Sequence, residues 1–304
     1  MSDYFPIRPS QVQFLKTIPF YHQSKDGEYL LYKQTGDLLD HERASQTRHP
    51  QLFIEEKDKA KAFNLLTRTL NMDLAKQVAE GGLVQIKTAL SNIVREILEP
   101  GQEAAMTALP ETLDILLENM SQDHTTMDYL GKITTTSKII VEHTVNVLAL
   151  TLQYCFFLDL SEKDTQTLGL CALLHDVGTS TLDREIIESK ERLTQSQFKT
   201  YQTHAQAGHD MILLNAGFDL AVANTALEHH ERLDKSGYPN ATDISCRQSQ
   251  IIGFIDSYES LTYRSKAFRK ARTPFDTLNL IKKEVKEGKF SLKLFKKFTS
   301  CLIR

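Results

Sequence analysis

The sequence predicts a mainly α protein, in which an all-α C-terminal helical bundle follows a small N-terminal α/β domain. Three observations carry that prediction. From Lys57 onward, apolar residues recur at three- and four-residue steps, the period of helices with one buried face. Strand character is confined to the first 56 residues. In the second half, imidazoles and carboxylates are embedded in apolar helical runs, as where a bundle gathers ligands from several helices.

In chain order, EYLLYKQ (28–34) and QLFIEE (51–56) read as strands, with turns at SKDGE (24–28) and QTGD (34–37). This part holds no glycine-rich phosphate loop and no nucleophile motif, so it reads as a sensor, docking or dimerisation module. His22, His41 and His49 have no partner at a useful spacing and read as surface or loop residues. Residues 57–98 read as helix, split in two or kinked at Gly81-Gly82, and 103–120 as a further helix with Pro110 near a start or a kink. These helices carry no chemical cluster and read as packing elements or a dimer stalk. The composition shift at 121–127 sets the boundary, giving domains 1–125 and 126–304.

Within the bundle, the Thr134–Ser137 run offers N-caps for a helix through KIIVEHTVNVLALTLQYCFF. Ser161 caps the next helix, with Asp164 at the capping-box position, and Gly178 is expected to end it as a C-terminal glycine. Thr194 caps the following helix, 221–231 is short and helical, and LDKSGYPNATDIS is turn-rich. Residues 247–264 and two last helices close the chain, whose lysine-rich end reads as a solvated helix face.

Composition narrows the function. A net charge of −3 gives no global basic field for long nucleic acid. The four cysteines are scattered without a CxxC pair, and Cys155 and Cys171 read as buried structural thiols of a reducing compartment. The N-terminus lacks the charged-then-apolar order of a signal peptide, and the run 145–160 reads as a core helix rather than a membrane span. A cytoplasmic protein is expected.

The chemistry concentrates between His143 and Asp256, a stretch with six of the ten histidines. Imidazole and carboxylate together suit first-row transition metals. Asp176 follows His175 at the end of an apolar helix, where a buried carboxylate is costly unless paired or metal-bound, and its two oxygens can bridge two cations. His229 and His230 at a helix end point about 100° apart, so they reach different ions of a pair. Glu231 and Asp234 follow as acceptors for ring N–H groups. His143 and Asp256 each interrupt an apolar helix. Of His204 and His209, His204 is taken as the ligand and His209 as structural. Together these residues read as a two-metal hydrolase centre.

HHERLDKSGYP (229–239), ALLHDVGT (172–179), KTYQTHAQAGHDMI, DSYESLT and EGKFSLKLFKKF give the sequence its resemblance to the HD-GYP phosphodiesterases. These are an HD phosphohydrolase branch that hydrolyses the second messenger cyclic di-GMP, and the likeness covers roughly 128–304. It implies metal ligands at His143, His175, Asp176, His204, His229, His230 and Asp256, with Asp176 bridging. It implies iron as the metal, with manganese as the alternative. Thr179 stands where the family has a lysine near the scissile phosphate, and Lys235 stands where it has a glycine. Ile139 replaces the glutamate that accompanies a third metal, so two ions are expected. Arg264 and Lys266 fall where the family has Arg-Pro-Tyr, and either could meet a phosphate.

The resulting expectation is a phosphodiesterase giving pGpG or GMP, with a metal-bridging hydroxide fixed by Asp176 and Tyr238 and Lys235 at the substrate pocket. The alternative is a weakly active or inactive module that binds metal and nucleotide and signals through a partner; Thr179 and Lys235 favour it. A third reading is an HD phosphohydrolase for another nucleotide; the Gly-Tyr-Pro loop argues against it and leaves other cyclic dinucleotides open. Expected partners are the cyclic dinucleotide, a diguanylate cyclase domain docking on the Gly-Tyr-Pro surface, and a second copy of the chain.

Overall fold

The computed structural model describes residues 3–37, 50–80, 82–101, 103–120, 134, 139–189, 191–214, 217–263 and 269–303. Two compact units result, Met1–Asp73 and Leu74–Arg304. The expected boundary at 125 lies outside the described residues, and so do the caps expected at 135–137; the packing divides the chain within its first long helix instead.

The smaller unit is built on an antiparallel sheet: β1 (Tyr4–Ile7), β2 (Phe20–Gln23), β3 (Tyr29–Lys33) and β4 (Leu52–Glu55), in the order β1-β4-β2-β3. The strands expected at 28–34 and 51–56 are β3 and β4. β1 and β2 were not expected. β1 contains Pro6, which an edge strand tolerates because its N–H side need not join the ladder. β2 is four residues long and follows Pro19, too short to display an alternation. One face packs Ile7, Phe20, Leu52 and Ile54 onto Val12, Leu15, Ile18 and Ala62. Lys33 is buried there, and its ammonium donates to the carbonyl of Lys16 at 2.8 Å.

Helix α1 (Lys59–Glu80) leads into the larger unit, followed by α2 (Leu83–Ile97) and α3 (Leu109–Met120). The bundle proper is α4 (Ile140–Phe157), α5 (Glu162–Leu174), a 3-10 turn at Val177–Thr181, α6 (Arg184–Ile187), α7 (Gln195–Leu214), α8 (Leu220–Glu228), α9 (Arg247–Thr262), α10 (Pro274–Lys286) and α11 (Leu292–Ile303). α4 is the centre. It is apolar and long enough to pass for a membrane span, yet most of it is buried by α2, α5, α9 and α11. A helix apolar on every side needs such an enclosure.

The caps follow local chemistry. Ser161 accepts from the N–H of Asp164 at 3.2 Å, and Thr194 and Gln197 bond reciprocally at 2.9 and 3.2 Å. Gly178 departs from its expected role, since it is not among the glycines of positive φ. It is small for another reason: a Cβ there would lie 2.0 Å from the carbonyl oxygen of His204 and 2.4 Å from the N–H nitrogen of Gly208. The glycine lets the turn after α5 touch the backbone of α7. Gly253 does the same on α9, where a Cβ would meet the carbonyl oxygen of His229 at 2.2 Å. Cys155, Cys171 and Cys301 are buried free thiols, each pushed up to about 12 by burial.

Candidate metal centre

Five helices bring the seven expected side chains to one place. His143 lies in the first turn of α4, His175 caps the end of α5, and Asp176 opens the 3-10 turn. His204 comes from the middle of α7, His229 and His230 from the end of α8, and Asp256 from α9. The close backbone approaches at Gly178 and Gly253 set how near these helices stand.

Asp176 occupies the middle. Its Oδ1 lies 3.3 Å from His204 Nε2 and 3.6 Å from His229 Nε2. Its Oδ2 lies 3.4 Å from His175 Nε2 and 3.7 Å from His143 Nε2. On the far side, Asp256 Oδ1 is 3.2 Å from His143 Nε2, and Asp256 Oδ2 is 3.8 Å from His230 Nδ1. The donor atoms fall into two groups, each with its atoms within 4.8 Å of one another: Asp176, His204, His229 and His230, and His143, His175 and Asp256. The two oxygens of Asp176 face one group each.

The donor set fits divalent ions. Asp176 Oδ1 and the Nε2 atoms of His204, His229 and His230 are buried and make no hydrogen bond. Buried polar atoms in proteins are as a rule paired, and four orphans converging on one point mark a place for a cation. The opposite ring nitrogens are already committed. His175 Nδ1 donates to the Ala172 carbonyl at 2.8 Å, His204 Nδ1 to Tyr201 at 2.6 Å, and His229 Nδ1 to Ala226 at 3.0 Å. These bonds assign the proton to Nδ1 and turn the Nε2 lone pair inward.

Electrostatics agrees. Burial, against the pull of Asp176, lowers His204 below the usual imidazole range. Burial and then His229 hold His230 well below it. Burial works against a charged Asp176, but His175, His229 and His204 outweigh it and keep the carboxylate ionised. Burial likewise opposes Asp256, and His143 and His230 overcome it. Burial disfavours charge on His143 too, yet Glu259 and Asp256 lift it to about 10. The two carboxylates thus stay ionised beside His204 and His230, which burial holds in the neutral form, so the cluster offers lone pairs and negative charge to a cation.

The remaining expected residues divide. Tyr238 packs its ring on His230, with centroids 4.5 Å apart, and edge-on to Phe198 at 5.7 Å. Burial raises its phenol well above the ordinary value, so it stays a hydrogen-bond donor. Thr179 is buried and donates to the carbonyl of Asp176 at 2.7 Å. Its hydroxyl braces the turn and is turned away from solvent. Lys235 is exposed and paired with Asp243 at 2.9 Å. It sits at φ 63°, the left-handed region where glycine is the easier residue. His209 lies outside both groups, beside Asp210 at 3.0 Å. Arg264 and Lys266 lie outside the described residues.

Glu231 and Asp234 do not orient ring N–H groups, contrary to expectation. Glu231 Oε1 accepts from the N–H of Asn240 at 2.7 Å, and Asp234 accepts from the N–H and hydroxyl of Ser236. They shape the loop. His175, His204 and His229 look backward along their own helices to carbonyls three residues earlier, so they need no carboxylate downstream.

Three neighbours of the site escaped the sequence reading. Glu259 is fully buried, with Oε2 against His143 Nδ1 and Oε1 accepting from Asn146 Nδ2 at 2.7 Å. Arg232 donates to the carbonyls of His229 and Glu231 at 3.2 and 2.8 Å and to Ser257 at 3.0 Å, and it stacks on Phe290. It ties the His229-His230 segment to the helix of Asp256. Spacing held a clue to Glu259 and Asn146: each lies three residues after a ligand, on the same helix face.

The family model described as "HD domain" matches residues 133–294. A cyclic di-GMP phosphodiesterase of Pseudomonas aeruginosa is 30% identical over 139 residues, 44% of this chain and 33% of that one. A 3'3'-cGAMP-specific phosphodiesterase of Vibrio cholerae is 27% identical over 164 residues, 52% of this chain and 37% of that one. The chain thus spans about a third of the length of these relatives. Among solved structures, the fold is similar to Bd1817, an HDG"Y"P protein from Bdellovibrio bacteriovorus. The TM-score is 0.61 at 18% identity, over 99% of this chain and 100% of that one.

Proposed function

The chain belongs to the HD domain family, in its HD-GYP branch, and from that membership we propose that it is a metal-dependent phosphodiesterase of cyclic dinucleotides, hydrolysing cyclic di-GMP to pGpG. The observation that carries the reading is the pair of donor groups on either side of Asp176, with four of their atoms buried and unbonded. His204, His229 and His230 would hold one ion and His143, His175 and Asp256 the other, with Asp176 shared. Iron is the favoured metal and manganese the alternative. Two such ions supply neutralisation of the phosphodiester and a water that is nucleophilic at neutral pH.

The chain's own residues do the rest. Asp176 is the central anchor, since its two oxygens face separate groups. Tyr238 stands over His230 at the edge of the cluster, where its phenol can donate to a phosphate oxygen or lie against guanine. Hydrolysis adds water at phosphorus, breaks the bond to the 3' oxygen and leaves a 5' phosphate. A reducing, cytoplasmic setting suits the free cysteines.

Purified chain loaded with iron or manganese is expected to convert cyclic di-GMP to pGpG, followed by chromatography, and to lose that activity on chelation. The same assay with 3'3'-cGAMP decides between the substrates of the two relatives. Full metal loading without turnover of either would overturn the reading.

One observation favours a second reading, a metal- and nucleotide-binding module with little catalysis. No cation stands at Thr179, and its hydroxyl is spent on the Asp176 carbonyl. Thr179→Lys separates the two: a large gain in turnover marks a site weakened at this position, and no gain in a metal-loaded protein favours the signalling module.

A further inference from the structure

We propose that Glu259, held by Asn146 and Lys87, is the positioning residue of His143, an inference that rests on the ligand role of His143 proposed above. The four side chains form a continuous series. Lys87 Nζ on α2 donates to Asn146 Oδ1 at 3.5 Å. Asn146 Nδ2 donates to Glu259 Oε1 at 2.7 Å, and Glu259 Oε2 receives His143 Nδ1. Asn146 and Glu259 are completely buried and His143 is 1% exposed.

The need for this arrangement lies in where His143 stands. His175 and His229 cap the ends of their helices and His204 lies a turn or more inside α7, so each sends Nδ1–H to a carbonyl three residues back. His143 is in the first turn of α4. Its Nδ1 turns not back along α4 but across to Glu259 of α9. α9 thus supplies the acceptor for this ring, one turn beyond Asp256. Glu259 faces the nitrogen opposite the one that meets Asp176 and Asp256. A buried carboxylate is costly unless paired and hydrogen-bonded, and both of its oxygens are engaged.

The test compares the full chain with Glu259→Gln, Asn146→Ala and Lys87→Met, and with His209→Ala as a control outside the cluster. Metal-free protein is titrated with Mn2+ by calorimetry, and its thermal midpoint is recorded without metal. Wild type binds two ions. Glu259→Gln weakens one of the two about 10–100-fold, Asn146→Ala less and Lys87→Met least. The midpoint of metal-free Glu259→Gln falls little, whereas a merely structural role would lower the midpoint and spare the affinity. In zinc-loaded protein, the downfield ring N–H proton of His143 moves upfield or disappears in Glu259→Gln. Unchanged affinity and an unmoved proton would overturn the inference and leave the ligand set standing. A wild type that binds no metal would overturn both.

Discussion

The floor of the site and its rim are built to different standards. The floor consists of five imidazoles and two carboxylates, all buried except the half-buried His230, and four of the rings are turned inward by a bond to a helix carbonyl or to Glu259. The rim is the turn at Thr179 and the loop from Lys235 to Tyr238. Its one exposed cation, Lys235, is paired with Asp243, and Thr179 offers no charge. In the proposed reading, metal binding depends on the floor and phosphate handling on the rim, so the two can be altered separately.

The largest effect is expected at the floor. Asp176→Ala removes the carboxylate that faces both groups. Metal content measured by mass spectrometry should drop for both ions, and turnover should vanish with it. Retention of two ions in this variant would break the comparison, because the floor would then not depend on its central residue. Gly178→Ala acts on the same floor without touching a ligand, since its Cβ would strike the backbone of α7 at 2.0 Å. Overpacking of this kind costs about 1–3 kcal/mol or more. A lower thermal midpoint, with metal affinity reduced, is the expected result.

Rim changes should leave the metal count alone. Thr179→Lys gives up a hydrogen bond worth about 1 kcal/mol and offers a cation to the phosphate. If the rim limits catalysis, turnover should rise by up to about 100-fold at unchanged stoichiometry. Lys235→Ala should matter least, shifting stability by less than about 1 kcal/mol, because the ion pair with Asp243 is exposed on both sides. A loss of turnover in this variant as large as that of Asp176→Ala would place essential chemistry at the rim.

The same division governs what the sequence made legible. Each proposed ligand carries a local sign: a histidine or aspartate inside an apolar run, the His-Asp pair, the double histidine before Gly-Tyr-Pro. Ser161 and Thr194 were equally readable, because a cap acts on atoms three residues away. Glu259 and Asn146 were not, since the bonds that define them span 116 and 113 residues. Gly178 was misread for a related reason. Near a helix end it suggests a cap, and only the fold reveals a neighbouring backbone against it. Glu231 and Asp234 follow the double histidine, but their carboxylates fold back into the loop. Short strands such as β1 and β2 leave too little pattern to read.

The central claim is that seven side chains, arranged about Asp176, hold two ions that act on a cyclic dinucleotide. Titration of metal-free protein with Mn2+, with cyclic di-GMP hydrolysis followed on the same samples, tests it most directly. The account predicts two ions per chain, with activity appearing as the sites fill. Activity that persists in chelator, or a chain that binds no ion, would contradict it.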